Sequence, residues 1–134
     1  MNKIILMLMI MLVSINFVSA ANDANIEISR AYSSPSSVEP GKDVSLTIEI
    51  ENIGDADSED VFIELILDNV PFAPSNGAST RNVGDLDEDD EYSATFSLVA
   101  NNDVESGTYK IPVEVTYKYD KDITLKSKHK IIRE

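Results

Sequence analysis

The chain has 134 residues, no cysteine and 24 acidic residues against 11 lysines and arginines, so its formal net charge at pH 7 is −13. A surface this acidic repels nucleic acid and anionic lipid, and we expect neither as a partner. The absence of cysteine excludes disulfides, thiolate metal ligands and a cysteine nucleophile. The length suits one domain that buries roughly two-thirds of its unfolded surface.

The first 20 residues have the parts of a secretory signal peptide. A basic start at Lys3 precedes an unbroken apolar run over residues 4–13, and Val18-Ser19-Ala20 supplies a small-x-small cleavage site. The run is shorter than the about 20 apolar residues that cross a bilayer. We therefore predict a cleaved signal peptide over 1–20, one domain over 21–134, and a location outside the cell or on its surface. Retention of the segment as an apolar helix, the one route to a membrane, stays open.

Beyond residue 25 the apolar residues alternate with polar ones, as in strands that have one buried face. Strong runs lie at 44–51, 61–67, 92–98 and 109–119, and weaker runs at 25–32, 79–83 and 122–132. Seven short strands separated by Gly, Pro, Asn and Asp clusters predict an all-β fold, a seven-stranded antiparallel immunoglobulin-like sandwich. A closed barrel is the alternative, and the long loop at 69–82 fits it less well.

Two features depart from this pattern. Pro112 stands inside the sixth strand, where it has no N–H to donate, so that strand must be bulged or unpaired on one side. Phe62 and Ile66 occupy the face that should meet water. Either the loop segment 71–74 covers them, which is the favoured interpretation, or they form an apolar strip that another molecule contacts.

Charge is unevenly distributed. Residues 49–105 hold 16 acidic residues and one basic residue, whereas residues 106–133 hold seven basic and three acidic ones. Lys126, Lys128 and Lys130 alternate along the last strand and so share one side of it. Such lysines protect an exposed sheet edge from pairing with another chain, or they make an electrostatic contact between copies.

The chain lacks the patterns of a catalytic site. The single histidine, His129, lies among lysines, where it is a poor base, and no nucleophile elbow or phosphate-binding glycine loop occurs. We therefore predict that the protein is not an enzyme and has no cofactor.

One acidic turn partly imitates a calcium loop. Asp85, Asp87 and Asp89 alternate as the first calcium ligands do, but Asp90 stands where glycine is needed and Phe96 where a bidentate glutamate belongs. The favoured interpretation buries Leu86 at the base of the core and leaves the acids in an exposed turn. If this turn meets the second acidic loop, residues 55–60, weak calcium binding remains an alternative.

Several segments together resemble the CARDB-like domains of archaeal S-layer-associated surface proteins. The resemblance extends over residues 25–132, and a short proline-phenylalanine segment at 68–72 is similar too. The segments are Val38-Glu39-Pro40-Gly41-Lys42-Asp43-Val44, Ile50-Glu51-Asn52-Ile53-Gly54-Asp55-Ala56, Val83-Gly84-Asp85-Leu86 and Gly107-Thr108-Tyr109-Lys110-Ile111-Pro112-Val113. Gly107-x-Tyr109 also resembles the tyrosine corner of immunoglobulin-like domains, in which the phenol binds nearby backbone. In contrast to the family, Glu88-Asp89-Asp90 replaces the usual Pro-Gly turn.

Three functions are compatible with these patterns. The first is a non-catalytic extracellular interaction or structural module that binds other surface or secreted proteins, or copies of itself, through Phe62 and Ile66 or through the three lysines. The second is a surface filament subunit that retains its amino-terminal helix or exchanges a strand. The third is a calcium-stabilised binding module.

Overall fold

A computed structural model describes residues 23–119 and the backbone of residues 123–133. The described residues form only strands and connecting turns. The strands are β1 (Ile26–Ser34), β2 (Asp43–Asn52), β3 (Ser58–Leu65), β4 (Phe72–Pro74), β5 (Thr80–Leu86), β6 (Glu91–Ala100), β7 (Tyr109–Tyr119) and β8 (Ile123–Arg133). None of the described residues belongs to a helix that is long and apolar enough to span a membrane. The predicted signal segment lies outside the described residues.

The strands form two separate antiparallel sheets, ordered β1-β2-β6-β4 and β5-β3-β7-β8. The predicted immunoglobulin-like sandwich is therefore confirmed, and the barrel alternative is wrong. All seven predicted strands are present. The additional strand, β4, is a three-residue segment of the long loop that pairs with the end of β6, where Phe72 lies opposite Ala100.

Alternating apolar residues of both sheets meet in one core. Ile48 and Ile50 of β2, Ile63 of β3 and Val115 of β7 are fully buried, whereas most of the intervening polar residues are half-buried in β2 and β7 and exposed in β3. Each such aliphatic side chain contributes about 1.5–3 kcal/mol on burial. The two-residue rhythm of the sequence is thus the rhythm of inward-facing and outward-facing side chains.

At Pro112, β7 lacks one hydrogen bond toward the end of β3, as the missing N–H donor predicts. Its carbonyl oxygen accepts a 2.9 Å hydrogen bond from the backbone N–H of Ile66, one residue past the end of β3. In an antiparallel ladder the N–H of the same residue would return that bond, and proline has none. The register with β8 continues through Pro112 and Lys130, so β7 lacks one hydrogen bond toward β3 here but is not bulged against β8.

One end of the sandwich, which we call the closed end, is sealed by a buried asparagine. Asn52 is completely buried, and its Oδ1 accepts hydrogen bonds from the backbone N–H groups of Asn25 (3.2 Å) and Gly54 (3.1 Å). Its Nδ2 donates to the carbonyl oxygens of Ala56 (2.8 Å) and Leu86 (3.1 Å). All four hydrogen-bonding positions of the amide are therefore used, and the side chain joins three segments that are distant in sequence.

Leu86 and Ser58 complete the closed end. Leu86 is buried at the base of the core, as the sequence indicated, with only 4% of its surface exposed. Its carbonyl oxygen also accepts a 2.8 Å hydrogen bond from the fully buried hydroxyl of Ser58. Both lone pairs of this carbonyl are thus satisfied inside the protein, which removes the cost of burying it without water.

The opposite end, which we call the open end, is built around Tyr109. The Tyr109 hydroxyl donates a 2.6 Å hydrogen bond to the carbonyl oxygen of Glu105, which is the contact implied by the tyrosine-corner resemblance. The ring of Phe72 meets the ring of Tyr109 edge to face, with 5.8 Å between centroids. The start of β7 is therefore fixed by one hydrogen bond and one aromatic contact.

Candidate interaction surface

The outer surface of β3 presents an exposed aromatic ring. Phe62 is 38% exposed and lies between Asn82 of β5 and Thr116 of β7 in the strand register. Ile66, the residue that follows β3 and continues its direction, is half-buried. We call the outer surface of β3, β7 and β8 around Phe62, Ile66 and Thr116 the Phe62 face.

The long loop does not cover Phe62. Phe72 enters the core instead, where only 7% of its surface is exposed, and β4 joins the other sheet beside β6. Ala73 and Pro74, which follow, are exposed. The favoured interpretation of local cover is therefore wrong for Phe62, because the interior of the sandwich buries the loop's aromatic ring more completely than the sheet surface would.

The three lysine positions align with this face. Strand β8 is an edge of its sheet within the described part of the chain. Its register with β7 places Lys126 opposite Thr116, Lys128 opposite Glu114 and Lys130 opposite Pro112. Directly opposite residues lie on the same face of a sheet. The backbone thus brings all five candidate interaction positions to one surface, although the sequence suggested two unrelated ones.

An ion pair borders the Phe62 face where β3 is irregular. The register of β3 shifts on both sides of Val61, and Asp60 adopts a left-handed conformation with φ 49°, which aspartate tolerates. Asp60 Oδ2 accepts a 2.9 Å hydrogen bond from Lys118 Nζ. This hydrogen bond and the charge of Asp60 raise the pKa of Lys118, with a smaller contribution from Glu59.

The candidate calcium residues lie at the closed end. Asp85, Asp87 and Asp89 are exposed, and the two acidic loops do meet, because Asp57 Oδ1 accepts a 2.9 Å hydrogen bond from the backbone N–H of Glu88. Among the residues that the structure describes, no three or more His, Cys, Asp or Glu side chains are placed to hold a metal ion. Weak calcium binding stays an untested alternative to the exposed turn.

The buried polar groups of the closed end escaped sequence analysis. In the sequence, Asn52 only marks the polar segment that follows the apolar run 44–51, and Ser58 has no distinguishing pattern. A glycine two residues after an asparagine that ends an apolar strand was the available clue, because Asn side chains commonly accept a hydrogen bond from the backbone two residues later. The Asn52 to Gly54 hydrogen bond has this spacing.

Comparison with known proteins identifies one family. The model of the CARDB family matches residues 22–124, which are about three-quarters of the chain. The matched segment runs from just before β1 to the start of β8. None of the curated proteins matches the chain. The family resemblance that the turn motifs indicated is confirmed.

Proposed function

Because the chain belongs to the CARDB family, whose domains are immunoglobulin-like, extracellular in type and non-catalytic, we propose that it is a binding module of the cell surface that associates through the Phe62 face. The partner is another surface or secreted protein, or a second copy of this chain.

The exposed ring of Phe62, in the middle of a sheet face, carries this proposal. Protein interfaces concentrate aromatic side chains near their centres and place charges at their rims. Phe62 at 38% exposure, with the lysine positions of β8 two strands away in the register, matches that arrangement.

Charge favours an acidic partner for the lysine side of the face. Residues 49–105 of this chain carry 16 acidic residues against one basic residue, so a second copy meets that requirement. Contacts of opposite charge speed association and set orientation, and salt screens them. Association is therefore expected to weaken as ionic strength rises.

Replacing both apolar residues tests the contact. The double variant Phe62→Thr, Ile66→Thr is expected to lose association while its far-ultraviolet circular dichroism stays that of the native sandwich, because threonine is well suited to strands. Solution mass from analytical ultracentrifugation measures the change. Val99→Thr is the matched control. Val99 is a half-buried apolar residue of β6 in the other sheet, and it lies on the outer face together with the exposed residues Thr95 and Ser97. A monomeric mass both before and after the double change contradicts a contact between copies through this face.

Export through a cleaved signal peptide is the second part of the proposal. Mass spectrometry of the protein from its natural source is expected to find an amino terminus at Ala21, given the cleavage pattern that ends at Ala20. Recovery of the intact segment Ile4 to Val18 would instead support the filament subunit that keeps its apolar helix.

A further inference from the structure

A cleft of about 400 Å³ lies at the open end of the sandwich, separate from the Phe62 face. The β1–β2 and β6–β7 connections form its walls, and its size is within the range of about 300–1,000 Å³ that is usual for ligand sites. Phe72, Val38 and Tyr109 supply apolar lining, and Glu105, Ser106 and Thr108 supply polar lining.

The walls of the cleft are held by hydrogen bonds. The Tyr109 hydroxyl binds the Glu105 carbonyl oxygen, so the loop that carries the carboxylate is tied to the start of β7. Directly after the lining residue Pro40, Gly41 N donates to the Ala100 carbonyl oxygen and Ala100 N donates to the Lys42 carbonyl oxygen, each at 3.0 Å. A site whose walls are already ordered loses less entropy when it binds a ligand.

The floor of the cleft closes below Phe72 and Val38. A second cavity continues from these two residues toward Leu46 and Leu98 of the core, but it holds only about 20 Å³. That space is about the size of one water molecule. A ligand therefore stays in the mouth of the cleft, with its apolar part against Phe72 and Tyr109.

The polar lining selects the charge of the ligand. Glu105 is the one charged residue among those that line the cleft, which Phe72 and Tyr109 also line, and it is exposed. A carboxylate next to aromatic and aliphatic groups favours a cation that carries an aliphatic stem. The net charge of −13 attracts the same class of ligand from a distance.

We propose that this cleft binds a lysine or arginine side chain presented by a segment of a partner protein. The stem lies along Phe72 and Tyr109, and the cationic group meets the Glu105 carboxylate. This site does not depend on the Phe62 face.

Titration of the isotopically labelled protein tests the site by nuclear magnetic resonance. The probes are Nα-acetyl-lysine amide and Nα-acetyl-arginine amide, with Nα-acetyl-norleucine amide as the uncharged probe of similar length and a methyl glucoside as the sugar probe. Saturable amide shifts are expected at Val38 and residues 104–109 with the two cations. Norleucine amide and the glucoside are expected to give much smaller shifts.

Glu105→Gln is expected to weaken binding of the lysine probe by about tenfold, because a hydrogen bond to a charged group is replaced by one to a neutral amide. Asp103→Asn is the matched control, since Asp103 lies in the same loop but does not line the cleft. Increasing salt is expected to weaken the binding of the two cationic probes and to leave the binding of norleucine amide unchanged. This test needs no variant.

Three results would overturn the proposal: no shifts at the lining residues up to the solubility limit of the probes, equal shifts from the uncharged or sugar probes, or equal losses from Glu105→Gln and Asp103→Asn. The double variant Phe62→Thr, Ile66→Thr is expected to bind the lysine probe as the native protein does. Failure of this site is therefore distinguishable from failure of the Phe62 face.

Discussion

At the closed end of the sandwich a completely buried amide joins three chain segments through four hydrogen bonds, whereas at the open end one tyrosine hydroxyl and an aromatic contact stand beside a cleft of about 400 Å³. The turns at both ends contain a glycine close to a polar residue, Gly54 after Asn52 at the closed end and Gly107 after Ser106 at the open end. The difference shows that one end is specialised for holding the sheets together, and the other leaves space that a ligand could fill.

The glycines of the two ends make the same contrast. A Cβ atom at Gly54 would overlap the backbone of Asp23 and Asn25, so the chain approaches this residue too closely for any side chain. A Cβ atom at Gly107 would meet nothing within 4 Å. Backbone therefore packs closely on backbone at Gly54, whereas Gly107 has open space around it.

The largest expected effect comes from breaking the closed end at its centre. Asn52→Ala removes all four hydrogen bonds of the buried amide and is expected to lower the free energy of unfolding by about 3 kcal/mol or more. Urea denaturation measures the loss. Asn101→Ala, at an exposed asparagine of the open end, is expected to change stability by no more than about 0.5 kcal/mol. Equal losses in the two variants would contradict the contrast between the ends.

The paired glycine variants sharpen the same comparison. Gly54→Ala is expected to lower the free energy of unfolding by about 2 kcal/mol, because the backbone of residues 23–25 must shift to admit a methyl group. Gly107→Ala is expected to be neutral or to stabilise by up to about 0.5 kcal/mol through the unfolded chain. Thermal melting of the two proteins under one set of conditions checks the order. The prediction is wrong if Gly107→Ala is the more harmful change.

At the open end, Tyr109→Phe removes a single hydrogen bond and keeps the ring against Phe72. We expect a loss of about 1 kcal/mol, which is the typical net contribution of one hydrogen bond. Tyr32→Phe is the control, because Tyr32 is an exposed tyrosine of β1 whose ring keeps its contact with Arg30. Chemical denaturation of both variants is the measurement, and indistinguishable midpoints would show that the tyrosine corner adds no stability.

Calcium tests whether the acidic loops of the closed end form more than an exposed turn. Because Asp85, Asp87 and Asp89 are not grouped with other ligands in the described part of the chain, millimolar calcium is expected to leave the melting temperature unchanged. Calorimetry with and without a chelator measures it. A melting temperature that rises with calcium concentration, as mass action requires for a ligand of the folded state, would favour the calcium-stabilised module.

The smallest effect concerns Lys118, whose ion pair with Asp60 is exposed to solvent. Its pKa is raised above the ordinary value of 10.5, first by the hydrogen bond to Asp60 and then by the charge of that residue. A raised pKa in the folded state contributes stability that is fully present below the unfolded value and is lost as pH rises through the folded value. Stability is therefore expected to fall more steeply above pH 10.5 in the native protein than in Asp60→Asn. Asparagine also tolerates the left-handed backbone at this position. Parallel pH profiles would contradict the prediction.

Much of the fold was predictable because the alternation of apolar and polar residues within one strand shows which face of that strand is buried. The alternation of Val44, Leu46, Ile48 and Ile50 needs only neighbouring residues to reveal one buried face. The same reasoning placed Leu86 in the core and predicted that Pro112 cannot donate a hydrogen bond to a neighbouring strand. It misplaced the role of Phe72, since nothing in a loop sequence tells which of two sheets the loop will join.

The candidate sites were less predictable, for a related reason. Phe62 and the lysines were each recognised, but their common face follows from pairing β3 with β7 and β7 with β8, which joins residues more than 60 positions apart. The cleft was not foreseen at all. Its walls belong to the β1–β2 and β6–β7 connections, and the space between two loops has no signature in either of them.

The sequence by itself determined which residues turn inward, how many major strands there are and to which family the chain belongs, because periodicity and turn chemistry act over a few residues. The tertiary structure alone decided which strands are neighbours, that Asn52 is a buried junction instead of a turn residue, and that one end stays open. Those outcomes depend on distant backbone segments satisfying one another's hydrogen bonds, and local sequence does not specify such pairings.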